Sequence, residues 1–201
     1  MMKNNIFFAI LLSSIVFFSC ASSGVERVSA NTQTDLSGYW NDTDVKIVAE
    51  SLVNECVGAN AITAFHSSKN RAPVVIVGRF ENRSDEHIDT SILAKKFEIA
   101  LINSGTVDFV ASASERTGIR EERDDQQINS SDETAASVGN ETGADFMLIG
   151  SVKTIVDSNG KQTARTYYVN AELVNIETNK KLWAGENSSI KKIITRSSVR
   201  K

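Results

Sequence analysis

Three long stretches of strand-favouring residues, 146–156, 163–176 and 181–194, follow one another with only Ser158-Asn159-Gly160 and Glu177-Thr178-Asn179-Lys180 between them. Connections this short join antiparallel neighbours, so the last third of the chain is predicted to be hairpins. Tyr167, Val169, Ala171 and Leu173 alternate with polar neighbours, which sets one sheet face against a core and leaves the other partly wet. The first half supplies helices to cover that face. Val45, Val48, Ala49, Leu52, Val53 and Cys56 form one stripe at helical spacing, with caps in Asn41-Asp42-Thr43-Asp44 and a stop at Gly58. Ile92, Leu93, Phe97, Ala100 and Leu101 form a second stripe between Thr90 and Gly105. A short amphipathic piece around Ile62 and Phe65 leads to Pro73. The run Val74-Val75-Ile76-Val77 then reads as a strand buried on both faces, followed by a polar loop over 81–89.

Residues 107–111 make a further short strand. Mixed charges over 114–127 predict an exposed helix supported by i,i+4 pairs, and another helix is expected over 131–141. The expected fold is α/β: a two-layer sandwich in which a mixed β-sheet with C-terminal antiparallel hairpins is covered by helices on one face.

The amino terminus sets the compartment. Lys3 precedes an apolar run, 6–18, that is too short to span a bilayer as a helix and ends at Ser19-Cys20. Residues 1–19 therefore read as a signal peptide. The order Phe17-Phe18-Ser19-Cys20 resembles a bacterial lipobox, which implies lipidation of Cys20 after cleavage. Several acyl chains on one cysteine hold a protein to a membrane stably, where a single chain does not. Alanine and serine follow Cys20, with no aspartate, so the expected location is the outer membrane, facing the periplasm. Residues 20–35 lack apolar periodicity and read as a flexible tether reaching at most about 50 Å. Residues 36–201 are expected to form one globular domain with a basic tail, Lys191, Lys192, Arg196, Arg200 and Lys201.

Charge and cysteine count narrow the functions. The formal net charge is −3 with Lys3 included, so the chain from Cys20 onward has no attraction for a polyanion, and nucleic acid is excluded as a partner class. With Cys20 acylated, Cys56 has no intrachain partner and reads as a small buried thiol. His66 and His87 lie in no metal or nucleophile motif. Asp42-Thr43-Asp44 could share a hard cation, but helix capping explains it more simply. The glycines assemble no phosphate-binding loop. A protein without catalytic residues, metal, cofactor or small-molecule substrate is expected, one that acts by touching another protein.

Several separated motifs carry a family resemblance. Leu36-Ser37-Gly38-Tyr39-Trp40-Asn41-Asp42-Thr43-Asp44, Pro73-Val74-Val75-Ile76-Val77-Gly78 and Asn82-Arg83-Ser84-Asp85-Glu86-His87-Ile88-Asp89 resemble the LpoB family of penicillin-binding-protein activators. Ile119-Arg120-Glu121-Glu122-Arg123 and Gly143-Ala144-Asp145-Phe146-Met147-Leu148 continue the similarity in the same order. The resemblance implies a domain similar to the amino-terminal domain of TolB, and an outer-membrane lipoprotein. Such a lipoprotein binds a bifunctional class A penicillin-binding protein and stimulates peptidoglycan synthesis. Well-known members carry a long proline-rich tether, whereas here no proline precedes Pro73. An alternative class is a structural or secretion-assembly envelope lipoprotein related to curli-pore components. Polar richness and the resemblance together single out Asn82, Arg83, Glu86, His87, Ile88, Arg120 and Arg123 as partner contacts. Charge reversal at Glu86 and Arg123 is expected to weaken binding while leaving thermal stability nearly unchanged.

Overall fold

A computed structural model describes residues 24–29, 32–131, 133–136, 139 and 141–196. The chain divides into two units between Gln33 and Thr34. In the first, residues 24–29 form neither helix nor strand. The signal segment, Cys20, Arg200 and Lys201 lie outside the described residues. Among the described residues the regular structure lies in the second unit: α1 (Asp42–Val57), α2 (Asn60–Lys69), β1 (Val74–Arg83), α3 (Thr90–Ser104), β2 (Asp108–Phe109), α4 (Ala113–Asn129), β3 (Phe146–Ser158), β4 (Gln162–Asn175), β5 (Lys181–Asn187) and β6 (Lys191–Thr195).

The strands form one mixed sheet in the order β2-β1-β3-β4-β5, with β6 also paired to β4. β1 runs parallel to β2 and β3, and the remaining pairs are antiparallel. Helices lie on one side: α1 packs on α3, β4 and β5, and α3 packs on β1. Val48, Leu52 and Cys56 of α1 and Phe97 of α3 are fully buried against Leu148, Val152, Tyr167, Val169 and Ala171 of the sheet. Each fully buried side chain of this size stabilises the fold by about 1.5–3 kcal/mol. Backbone approach is closest at Gly150, which faces the Phe80 ring. A Cβ there would also stand 2.5 Å from the carbonyl oxygen of Asn170.

The helix starts follow from side-chain chemistry. Asn41 accepts from the backbone N–H of Asp44 at 3.2 Å while Asp44 accepts from that of Asn41 at 2.9 Å, a reciprocal cap on α1. Ser112 and Glu115 repeat the device on α4. α1 and α3 end at Gly58 and Gly105 as expected, and Gly105 supplies a positive φ of 66°.

Five expectations are revised. The Val74–Val77 run is not buried throughout: Val74 and Val75, which point to opposite faces, are buried, while Ile76 and Val77 are half-buried. β1 extends to Arg83, so residues 81–83 belong to the strand and the loop begins at Ser84. Ile92 is 53% exposed, because Leu93, Phe97 and Leu101 alone fill the inward stripe of α3. The stretch 181–194 is two strands: Asn187 accepts from Ser189 N–H at 3.1 Å and from its hydroxyl at 2.9 Å, a side-chain turn that interrupts the ladder. Beyond the turn the Ile190 carbonyl accepts from Tyr167 N–H, so β5 and β6 lie end to end along β4. Within 131–141 the described residues form turns, and no helix is present among them.

Candidate functional site

The inner face of β4 does not end with its apolar residues. One step beyond Tyr167 on that face stands Arg165, and the register pairs Arg165 with Lys192 of β6, setting two cations side by side. Four carboxylates answer them. Lys192 Nζ donates to Asp44 at 2.6 Å and to the Tyr39 carbonyl at 2.9 Å, and is paired with Asp35 at 2.7 Å. Arg165 Nη1 donates to both Asp85 and Glu86 at 2.7 Å. Burial opposes charge on Lys192, whose side chain is 10% exposed, yet its bonds to Asp35 and Asp44 outweigh this and raise its pKa. Burial also raises the Asp44 carboxyl, against the pull of Lys192. Arg165 holds Asp85 below its usual range.

The segment around Leu36–Asp44 is built into this cluster. The Trp40 ring lies 5.2 Å from that of Tyr167, and Trp40 N–H donates to Glu86 at 3.0 Å. The Tyr39 ring lies 4.9 Å from the Arg165 guanidinium. Gly38 has a φ of 73°, and a Cβ there would meet Ile194 at 2.5 Å. These residues therefore form a clasp that fastens the start of the domain to β4, β6 and the 84–88 loop. Asp44 points into the clasp while Asp42 is exposed, so the two do not converge on a shared cation. Among the described residues no group of three or more His, Cys, Asp and Glu could hold a metal ion.

The candidate contact residues fall in two neighbourhoods. Glu86 accepts from Trp40, Arg165 and Tyr167, the last at 2.5 Å, with its side chain only 9% exposed, and Ile88 is in the core. Glu86 thus holds the fold, and its reversal cannot spare stability. Asn82 accepts from Ser84 and donates to the Glu86 carbonyl, which shapes the loop. Arg83 is paired with Glu81 on the surface, and His87 is exposed. Arg120 and Arg123 lie elsewhere, on α4, where both pair with Glu141. No hydrogen bond or ion pair among the described residues joins the two sets. Nor do ion pairs run at i,i+4 inside α4: its charges reach Glu141 and Lys95, and its internal i,i+4 links are the amide-to-carboxylate bonds Gln126–Glu122 and Asn129–Asp125.

The uncovered sheet face forms a third feature, an open groove of about 650 Å³. Arg79, Glu81, Lys153, Tyr168 and Glu172 are among its lining residues, and signs of charge are mixed there. The clasp residues Arg165 and Lys192 were not legible as a pair. Arg165 sits in an alternating strand and Lys192 reads as part of a basic tail, and only the β4–β6 register brings them together. Cys56 is fully buried, and burial pushes its thiol up to about 12.

A family model described as peptidoglycan-synthase activator LpoB matches residues 44–189. Among solved structures, the LpoB C-terminal domain from Salmonella enterica is similar at 17% identity, covering 76% of this chain and 99% of that one, with a TM-score of 0.43. The LpoB C-terminal domain from Escherichia coli is similar at 15% identity, covering 70% and 98%, with a TM-score of 0.36. Lipoprotein GNA1162 from Neisseria meningitidis is similar at 18% identity, covering 63% and 88%, also at 0.36. No curated protein sequence matches the chain.

Proposed function

The chain belongs to the LpoB family of peptidoglycan-synthase activators, and we propose that it is an outer-membrane lipoprotein, acylated at Cys20, that binds and activates a bifunctional class A penicillin-binding protein. The observation that carries this reading is the extent of the family match, which runs from the first turn of α1 to beyond the end of β5. A second support is chemical. The nearly buried carboxylates of the clasp, Asp44 and Glu86, are taken up by backbone N–H groups, Lys192, Arg165 and Tyr167.

Activation needs no chemistry from the activator. A protein that binds the active conformation of a synthase more tightly than the inactive one shifts the population toward activity by its differential affinity. Contacts are assigned to Asn82, Arg83 and His87, exposed in and beside the 84–88 loop, and to Arg120 and the half-buried Arg123 on α4. Glu86 and Ile88 serve by holding that loop in shape. The residues 20–35 act as the tether between an acyl anchor and this domain.

The test pairs the purified chain with detergent-solubilised class A synthases in a pull-down, followed by a glycan-polymerisation assay. Capture together with a faster rate is expected; no capture and no change in rate would sink the proposal. Cys20→Ser is expected to move the protein from the membrane to the soluble fraction, and unchanged membrane association would overturn the anchor. A stable ring in size-exclusion chromatography would point instead to an assembly component of the envelope.

A further inference from the structure

Arg116, Arg120 and Arg123 stand at i, i+4 and i+7 on α4, so one helix face carries three guanidinium groups within two turns. One carboxylate answers them. Glu141 accepts from Nε and Nη2 of Arg120 at 2.9 and 2.8 Å and from Nη1 of Arg123 at 3.2 Å. Arg116 donates from Nη1 to the Ala111 carbonyl at 3.1 Å, and its Nε is buried with no hydrogen-bond partner among the described residues. Beside them is a cavity of about 230 Å³ walled by Arg116, Arg123 and Glu141 and floored by Val110, Ala111 and Ile119. An adjoining cleft of about 390 Å³ shares Arg123 and Glu141 and is edged by Arg120 and Asp124.

Glu141 is not part of the helix. It comes from the connection between α4 and β3 and occupies the arginine face as a ligand would, its two oxygens on the fork of Arg120. The grip is weak. The Arg120 side chain is 56% exposed and that of Glu141 is 31% exposed, and an ion pair this open to water is screened and contributes little. A second carboxylate can therefore displace it at little cost. The apolar residues Val110, Ala111 and Ile119, which line the cavity together with Thr142, favour a carboxylate carried by a small aliphatic body over a bare phosphate, which would leave them uncovered.

We propose that the arginine face of α4 is a docking site for an acidic segment of a partner polypeptide. One carboxylate of that segment replaces Glu141 on Arg120 and Arg123, and a small apolar side chain beside it enters the cavity over Val110, Ala111 and Ile119. The inference rests on the reading that this domain acts by touching a protein, and it gives that surface a chemistry. Glu141 then works as an internal competitor that keeps the site closed to weakly charged segments.

The probe is a fluorescent peptide of alternating Glu and Ala, with its Gln counterpart as control, titrated against the full chain in detergent. Binding of the Glu peptide alone, weakening as salt is raised, is expected. R120Q combined with R123Q should weaken it at least tenfold, and E141Q should tighten it by up to about fivefold, the equivalent of the pair it removes. Equal binding of the Gln peptide, or binding that survives the double substitution, would overturn the site. So would competition by inorganic phosphate or anionic phospholipid vesicles as strong as that by unlabelled Glu peptide. Should the double variant fail to fold, E141Q decides alone: no gain in affinity sinks the proposal. A synthase pull-down that is unaffected by R120Q and R123Q would remove this site while leaving the activator reading intact. Peptide binding without synthase capture would do the reverse.

Discussion

Glu86 sits where the clasp's hydrogen bonds converge: Trp40 N–H, Arg165 and the Tyr167 hydroxyl all donate to it. Removing it leaves the Trp40 N–H and the Tyr167 hydroxyl without that acceptor and Arg165 with Asp85 alone, and each buried donor left unmet costs about 1–3 kcal/mol. Glu86→Ala is therefore expected to destabilise the domain by about 3 kcal/mol, read from urea denaturation. A loss of a few tenths would mean that water replaces the carboxylate and that the clasp is ornamental. Tyr167 carries the same signature, since burial and the bond to Glu86 raise its hydroxyl above its ordinary range. Trp40 adds the packing that excludes water from these bonds. The sequence displayed Trp40 and Glu86 in separate motifs, and nothing in their spacing revealed that one backbone N–H and one carboxylate would join them across the fold.

Among the elements, β3 and β4 form the most extended pairing, thirteen residues deep from Phe146↔Asn175 to Ser158↔Thr163. Within it Gly150 pairs with Ala171 and lies beneath Phe80, whose ring is 5.1 Å from that of Phe97 on α3. A methyl group at Gly150 would press on the Phe80 ring and on the backbone carbonyl of Asn170, and a backbone carbonyl cannot rotate away. Gly150→Ala is expected to cost about 1–3 kcal/mol, the usual price of overpacking, and a thermal melt matching that of the parent would refute the close approach. The need for glycine here comes from β1 and α3 as much as from β3. By contrast the start of α1 and the end of α3 were legible, because Asn41 and Gly105 act within one turn of their own positions.

For the whole molecule, charge pairing sets the response to acid. Ser112, with Lys95, holds Glu115 down to about 2; Arg71 lowers Asp145, Arg165 lowers Asp85, Ser91 lowers Asp89 and Arg120 lowers Glu141. A carboxyl whose pKa is depressed on folding stabilises the folded state at any pH above its unfolded value. That contribution is lost as pH falls through the folded value. Asp44 runs the other way, since burial raises it, but it stands against five. Stability is therefore expected to hold above about pH 4.5 and to fall steadily toward about pH 2. The urea midpoint measured across that range checks this, and a midpoint that rises on acidification would contradict it. Asp145→Asn should flatten part of the fall, because Asp145 ties Arg71 at 2.7 Å and the Val74 N–H at 2.8 Å at the base of β1.

The alternation of Tyr167, Val169, Ala171 and Leu173, the stripes of α1 and α3, and the cap that begins α1 are properties of neighbours within a few residues, so the sequence alone determined the layers and the sheet's buried face. The pairing of Arg165 with Lys192, the inward turn of Glu86, the splitting of 181–194 into β5 and β6, and the meeting of Arg120 and Arg123 with Glu141 join residues far apart in the chain. No local pattern encodes such contacts; they exist only once strand register and helix packing have fixed which distant side chains share a space.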